Sequence, residues 1–216
     1  MTKLRQRRYF LVFLLFAAIG ITLCGNEAAA QSSTSRLYDA SFQAETDGNY
    51  PKALNSVLQI IRSDTKNYIA TLRAGWLFYM NRQYKSSVNY YKKANRLKPK
   101  AIEPLLGMSL PLMALKEWGS AEMITKRVIK KDPWNYPAAS RLALIYYYEG
   151  KYGDAKNSYQ KLLQLYPGNI EMQLGLAWTY VKMGQKNNAS TLFNRILTVQ
   201  SKNVTALAGI DAVRKM

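Results

Sequence analysis

Side chains that perform most enzyme chemistry are scarce in this sequence. The 216 residues include no histidine, so the commonest general base and the commonest transition-metal ligand are missing. One cysteine, Cys24, excludes an intrachain disulfide or a cysteine-ligated zinc site. Acidic residues are scattered among predicted turns and helix ends, at Glu103, Asp132, Glu149, Asp154 and Glu171. We therefore predict no catalytic residue, no metal site, no cofactor and no enzyme activity.

Basic and aromatic side chains are the groups that could bind a partner. The chain has 31 Lys and Arg against 13 Asp and Glu, a formal charge of +18, and 12% of its residues are aromatic. An apolar content of 48% excludes a disordered chain. In an intracellular protein this charge would suggest nucleic acid. The N-terminal segment predicts export instead, which favours acidic proteins, anionic glycans or lipid headgroups and argues against nucleic acid.

Residues 1–30 have the pattern of a secretory signal peptide. Basic residues within the first eight positions precede an uncharged run from Tyr9 to Cys24, and Ala28 and Ala30 stand before Gln31. The run is shorter than the roughly 20 residues that span a bilayer. We expect cleavage after Ala30, a mature domain over residues 31–216, and a periplasmic, secreted or outer-membrane-associated location in a bacterium.

Two alternatives for this leader stay open. Bacterial lipoprotein signals place a small residue before the modified cysteine, whereas Cys24 follows Leu23, so lipidation is disfavoured. An uncleaved anchor in the inner membrane is the other alternative, because tilt or local thinning accommodates a short span.

A 34-residue period runs from Thr34 to Asn203 without an insertion or deletion. Proline recurs at Pro99, Pro133 and Pro167. A small residue recurs with the same spacing at Ala53, Ser87, Ala121, Ala155 and Ala189. Self-similarity at this period is typical of an array of supersecondary units, each of which buries its apolar face against its neighbours.

Each period predicts two helices and no strand. In residues 136–169, apolar positions at i, i+3, i+4 and i+7 define one helix, and a second helix of the same kind ends before Pro167. The small residue lets the second helix approach the first closely. Aromatic side chains then fill the space between neighbouring pairs.

The exit from the first helix is a glycine in three units, at Gly48, Gly150 and Gly184. Glycine readily takes the left-handed conformation that ends a helix. Arg82 and Lys116 replace it in the other two units, so we expect these two turns to be tighter or more strained.

These positions resemble the tetratricopeptide repeat, a 34-residue helix–turn–helix unit. The resemblance covers five units, at residues 34–67, 68–101, 102–135, 136–169 and 170–203. It implies an all-α, right-handed superhelical solenoid with residues 204–216 as a C-terminal capping helix. It also implies a concave groove, lined by the first helices, that binds a protein segment.

Mapping the groove positions of this family onto the chain gives mostly apolar and aromatic side chains. The predicted groove residues are Tyr38, Phe42, Arg73, Trp76, Tyr79, Met80, Met113, Arg141, Leu144, Tyr147, Tyr148, Trp178 and Lys182, with the two arginines at its margin. Family members that hold chaperone carboxyl termini use Lys and Asn where this chain has Leu72, Trp76, Ser140 and Leu144. An amphipathic helix or an extended apolar peptide is therefore the favoured ligand.

The plain alternative is that some of these side chains belong to the core. It applies above all to four leucines at further groove positions of the family, because leucine at helical spacing is usually buried. These are Leu72, Leu106, Leu110 and Leu174. For Trp76 and Tyr147 we expect a position on the solvent side of the first helices, where large aromatic groups serve as binding hot spots.

Basic residues concentrate on two second helices, which the resemblance places on the convex side. This basic ridge consists of Lys92, Lys93, Arg96, Lys126, Arg127, Lys130 and Lys131. It is either a solvated helix face that keeps the protein soluble or a surface that rests on the anionic cell envelope.

The sequence thus favours an exported protein-binding scaffold that acts in envelope assembly or secretion. One alternative is a polysaccharide-associated export module that binds an acidic glycan or a glycan synthase complex. Another is a self-assembling structural protein, a homo-oligomer that buries its groove against other copies.

Overall fold

The computed structural model describes residues 33–216, which form eleven α-helices and no strand. The helices are α1 over residues 33–46, α2 Tyr50–Ser63, α3 Tyr68–Met80, α4 Tyr84–Leu97, α5 Glu103–Ala114, α6 Trp118–Lys131, α7 Tyr136–Tyr148, α8 Tyr152–Leu165, α9 Ile170–Lys182, α10 Lys186–Val199 and α11 Val204–Arg214. The predicted signal peptide and its cleavage site lie outside the described residues. Within residues 33–216, no helix is both long enough and apolar enough to cross a bilayer.

The helix boundaries repeat with the period seen in the sequence. The second helices of the five units begin 34 residues apart, at Tyr50, Tyr84, Trp118, Tyr152 and Lys186. Asparagine marks the start of several first helices, because its side-chain oxygen accepts a backbone N–H that has no partner within the helix. The bonds run to the Oδ1 atoms of Asn67, Asn135, Asn169 and Asn203 from the N–H groups of Ala70, Ala138, Met172 and Ala206.

The chain divides into two compact units, one ending at Ala70 and the other covering Thr71–Met216. In the described part of the first unit, α1 and α2 bury apolar residues that include Ala44, Ala53, Val57 and Ile60. In the second unit, consecutive helices pack against each other, and α5, α7, α9 and α11 also contact one another in series. This arrangement of stacked helix pairs is the all-α solenoid that the period predicts.

An aromatic side chain on a second helix packs against a glycine on the following first helix at three points in the second unit. Tyr91 lies against Gly107, Tyr159 against Gly175 and Phe193 against Gly209, and a Cβ atom on any of these glycines would overlap the ring. All three rings are buried. The absence of a side chain on the glycine therefore lets the ring fill the space between adjacent helix pairs.

The corresponding positions on α6 and α7 have different residue types. Thirty-four residues after Tyr91 and Gly107 stand Thr125 and Arg141. Thr125 is fully buried and Arg141 is half-buried. A smaller residue on the second helix thus accompanies a larger residue on the first helix, which indicates an exchange of side-chain volume between the two positions.

The strain expected at two helix exits is present in the backbone. Gly48, Gly150 and Gly184 have φ values of +72°, +77° and +73°, and Arg82 and Lys116 both have φ of +58°. All five residues are therefore left-handed. A side chain in this conformation costs roughly 1–2 kcal/mol relative to glycine.

Replacing Arg82 or Lys116 by glycine should stabilise the second unit. The relief of backbone strain exceeds the extra conformational entropy that glycine gives the unfolded chain, about 0.4–1 kcal/mol. We expect the free energy of unfolding to rise by about 0.5 kcal/mol for each change, measured by urea denaturation with circular dichroism. Gly150→Ala is the converse control and should be destabilising. A loss of stability in both glycine variants would show that these side chains stabilise the turns.

Candidate functional site

Four of the predicted groove residues surround one cavity of about 400 Å³ in the second unit. Leu144, Tyr147 and Tyr148 come from the last turns of α7, and Trp178 comes from α9. The cavity is also lined by Tyr159, Gly175 and Thr205, which the sequence analysis did not include. Their helical spacing offered no signal, because they reach the cavity from three different helices.

Tyr159 is the buried aromatic residue of the cavity lining. Its ring is 2% exposed and lies directly against Gly175. Burial raises the pKa of the Tyr159 hydroxyl above its ordinary value, so the hydroxyl stays neutral to a higher pH than that of an exposed tyrosine. Any ligand would therefore meet a neutral, largely apolar surface.

The rings at the cavity are held in place by one another. Tyr148 stacks on Trp118 with a centroid distance of 4.8 Å and an interplanar angle of 7°. Tyr147 meets Tyr148 edge-on at 5.4 Å, and burial raises the pKa of its hydroxyl. Tyr148 is nevertheless 56% exposed and Leu144 is 36% exposed. The cavity thus presents preoriented apolar surface to solvent.

A second aromatic group lies near the start of the second unit. The rings of Trp76 and Tyr79 are 5.8 Å apart, and Tyr79 is 5.8 Å from Tyr84. Trp76 and Met113 are half-buried and pack against the apolar cluster that contains Tyr91. Half-burial of Trp76 and Tyr147 corrects the expectation that both side chains are on the solvent side. Removing either side chain will therefore reduce stability.

Arg141 acts as a clamp between first helices. Its Nη1 donates to the backbone oxygen of Leu106 at 2.6 Å and to the Oγ of Ser109 at 2.9 Å, both on α5. Burial lowers the pKa of the guanidinium below its ordinary value. This residue, predicted at the groove margin, thus joins α7 to α5.

The remaining predicted groove residues are distributed along the chain. Tyr38 and Phe42 lie on α1 in the first unit, where the Tyr38 hydroxyl donates to Asn67 at 2.9 Å and Phe42 is 55% exposed. Arg73 and Met80 are half-buried on α3, and Lys182 is exposed at the end of α9. The expected core packing of Leu72, Leu106 and Leu174 is confirmed, since each packs against a buried cluster.

Two segments of the chain match models of a known family. Residues 44–102 and residues 146–210 each match a model described as tetratricopeptide repeat. The chain contains tetratricopeptide repeats. Together with the stacked helix pairs, these matches show a tetratricopeptide-repeat solenoid.

Curated relatives share parts of this repeat region. The chain is 30% identical over 129 residues to the Arabidopsis thaliana protein CTR9 homolog, covering 59% of this chain and 12% of the relative. It is 26% identical over 103 residues to the uncharacterized protein ycf37 of Pyropia yezoensis, covering 48% of this chain and 55% of the relative. The matched regions are thus a small part of the first relative and about half of the second.

Several solved structures have the same fold. A tetratricopeptide repeat protein from Parabacteroides merdae superposes with a TM-score of 0.77 at 18% identity, over 84% of this chain and 72% of that chain. MamA from Desulfovibrio magneticus RS-1 gives 0.74 at 17% identity, over 80% and 97%. YrrB, described as having an unusual peptide-binding site, gives 0.68 at 16%, over 80% and 89%. At these identities the likeness concerns the fold alone.

Two lysines of the basic ridge in this repeat array are occupied by contacts within the protein. Lys126 pairs with Glu122 and lies 5.5 Å from the centroid of the Tyr146 ring. Hydrogen bonds from Lys126 and Lys151 lower the pKa of Glu122 to about 2. Lys131 Nζ donates to the backbone oxygens at the preceding turn, of Pro99 at 3.0 Å and Lys100 at 3.1 Å.

The other ridge residues differ in exposure. Lys92, Arg96, Arg127 and Lys130 are exposed, and Lys93 is half-buried. An interaction of the ridge with an anionic surface would depend mainly on these four cations, because the amino groups of Lys126 and Lys131 already contact other groups of the protein.

Proposed function

We propose that this chain is an exported scaffold whose tetratricopeptide repeats bind a segment of another protein in envelope assembly or secretion. The fold is a protein-interaction module, and the observation that supports a site is the open cavity formed by Leu144, Tyr147, Tyr148 and Trp178. One structural relative is described as having an unusual peptide-binding site. The proposal assigns the same class of ligand to this chain.

The chemistry of the cavity favours an apolar side chain of the bound segment. Leu144 and Tyr148 are the accessible groups, and the ring of Tyr148 is already fixed against Trp118. A prefixed aromatic ring loses little entropy when a partner covers it, which increases its contribution to affinity. An amphipathic helix or an extended apolar peptide could place one such side chain over the cavity.

The test of this site is capture of proteins from an envelope extract on the immobilised mature chain, quantified by mass spectrometry. Tyr148→Ala should weaken capture of a specific partner by roughly 2 kcal/mol, about 30-fold in dissociation constant, because truncating a central aromatic hot spot has an effect of this size. The variant should remain folded, since a ring pair contributes only about 0.5–1.5 kcal/mol beyond burial.

Two controls distinguish this cavity from other surfaces. Met123→Ala removes another exposed apolar side chain, on α6 outside the cavity, and should leave capture unchanged. Changing Lys92, Arg96, Arg127 and Lys130 to Gln should reduce only salt-sensitive attachment to anionic surfaces. If the charge changes abolish capture and Tyr148→Ala does not, the partner binds the basic ridge and the cavity proposal fails.

Export is the second part of the proposal, and it rests on the pattern of residues 1–30. The mature protein should begin at Gln31 and should be recovered outside the cytoplasm of a bacterial host. N-terminal sequencing of the abundant form measures this directly. A form that begins at Met1 or Thr2 would contradict cleavage and favour the membrane-anchored alternative.

A further inference from the structure

A second pocket, of about 640 Å³, opens where the turn between α6 and α7 meets the end of α8. It shares no lining residue with the cavity at Tyr148. Its inner wall is aliphatic and includes Ile129, Leu142 and Leu162, of which Leu162 is buried. The volume and the lining of this pocket are typical of a site for a small ligand, because such sites measure about 300–1,000 Å³ and are mostly apolar.

Large exposed apolar side chains form the rim of this pocket. Trp134 is 80% exposed, Leu165 is 58% exposed and Tyr166 is 45% exposed. The Tyr166 ring meets Tyr136 edge-on at 4.8 Å, and the Tyr136 hydroxyl accepts from Asn169 Nδ2 at 2.8 Å. The rim is thus a set of oriented aromatic groups brought together from separate parts of the chain.

The repeat architecture does not require aromatic residues at these two positions. The residues 34 or 68 positions away from Trp134 are Lys66, Lys100, Gly168 and Lys202. Those that correspond to Tyr166 are Asp64, Lys98, Asp132 and Gln200. Because the other four units have polar residues or glycine there, the repeat fold itself does not require these exposed rings.

One edge of the pocket is polar. Ser158, Lys161 and Gln164 are spaced by three residues on α8 and line the same side. Lys161 is exposed, and no carboxylate among the described residues forms an ion pair with it. The carboxylate of Asp132 is used within the turn, where it accepts from Trp134 N at 3.2 Å and Asn135 Nδ2 at 2.9 Å. Lys161 is therefore available to an anionic group.

We propose that this pocket binds a single-chain amphiphile with a carboxylate head, such as a medium-chain fatty acid. The alkyl chain would lie between Trp134 and Tyr166 against the aliphatic wall, and the carboxylate would pair with Lys161. The aliphatic wall formed by Ile129, Leu142 and Leu162 favours an alkyl chain over the hydroxyl groups of a glycan. The backbone N–H groups of Trp134 and Tyr166 at the mouth already donate to Asp132 Oδ1 and to the backbone oxygen of Leu162, so they do not serve a peptide backbone.

Isothermal titration calorimetry with decanoate below its micelle concentration tests the assignment. Binding should saturate at one molecule per chain and tighten by about fourfold for each methylene from hexanoate to decanoate. Decan-1-ol should bind about two- to fivefold more weakly than decanoate, since an exposed ion pair contributes little, and decyltrimethylammonium more weakly still. Lys161→Gln should lower the affinity for decanoate to the level measured for decan-1-ol. The same variant should bind decan-1-ol as well as the wild-type chain does.

Substitutions that introduce the residue types found at the corresponding positions of other repeats distinguish loss of the pocket from loss of the fold. Trp134→Gly with Tyr166→Gln places the residue types of Gly168 and Gln200 at the rim, and it should weaken decanoate binding more than tenfold with unchanged helix content. Tyr148→Ala should bind decanoate normally. The proposal is overturned if the wild-type chain shows no saturable decanoate binding, if the rim variant binds equally well, or if the cationic probe binds best. Saturable binding of an acidic oligosaccharide or apolar peptide, with none of decanoate, would also overturn it.

Discussion

Replacing Phe193 by alanine is expected to lower the free energy of unfolding by about 3–5 kcal/mol, the range for loss of a buried phenylalanine. The ring is 0% exposed, meets Trp178 edge-on at 5.5 Å and lies against Gly209. It therefore joins α10 to both α9 and α11. Urea denaturation followed by circular dichroism measures the loss. Hydrogen exchange should show the greatest loss of protection in α9–α11, because repeat units depend mainly on their neighbours.

Matched glycine substitutions test the same packing from the other side. Gly209→Ala adds a Cβ atom that would overlap the Phe193 ring. Overpacking of this kind typically lowers the free energy of unfolding by about 1–3 kcal/mol. Gly153→Ala, in α8, meets no atom within 4 Å and should stabilise by about 0.5–1 kcal/mol, since alanine is the better helix former. Equal effects of the two changes would contradict the proposed aromatic–glycine packing.

Thr125 and Arg141 are expected to be energetically coupled by about 1–3 kcal/mol, the upper part of the range for residues that share one packing space. Arg141→Gly removes the bonds to Leu106 and Ser109, and Thr125→Tyr adds a ring at the position that corresponds to Tyr91. Each single change should destabilise the protein. The double variant recreates the pair found at Tyr91 and Gly107 and should recover part of the loss.

The measurement is a double-mutant cycle of unfolding free energies. If the double variant regains part of the free energy of unfolding, the aromatic ring and the guanidinium group occupy the same space between helix pairs. Thr125→Tyr combined with Gly153→Ala is the control, since Gly153 makes no contact there, and its two effects should add. If the effects of Thr125→Tyr and Arg141→Gly also add, the volume-exchange interpretation is wrong.

Local features of this fold could be predicted from the sequence because they depend on nearby residues. The 34-residue period defined the helix pairs, and the residue types at the exits predicted strain at Arg82 and Lys116, which their positive φ values confirm. Helix formation, exits and the inward face of each helix follow from spacing within a single unit. The all-α solenoid was therefore determined by sequence alone.

The candidate site was predicted only in part, because helical position does not specify how far a side chain projects from the packed surface. Leu144 and Tyr148 are accessible, whereas Trp76 and Tyr147 are half-buried against the core. The difference arises from packing between neighbouring units, which determines how much of each ring is covered. Resemblance to a family located the face but could not rank its residues.

Contacts between residues about thirty positions apart were decided by the tertiary structure alone. Lys131 looked like a free surface cation in the sequence, yet its amino group binds the backbone of the preceding turn at Pro99 and Lys100. Trp134 and Tyr166 belong to different turns of the chain, yet they border one pocket. Such neighbours depend on the angles and distances at which helix pairs stack. Sequence determined the repeating unit, and stacking of the units decided which side chains meet and which remain open to a ligand.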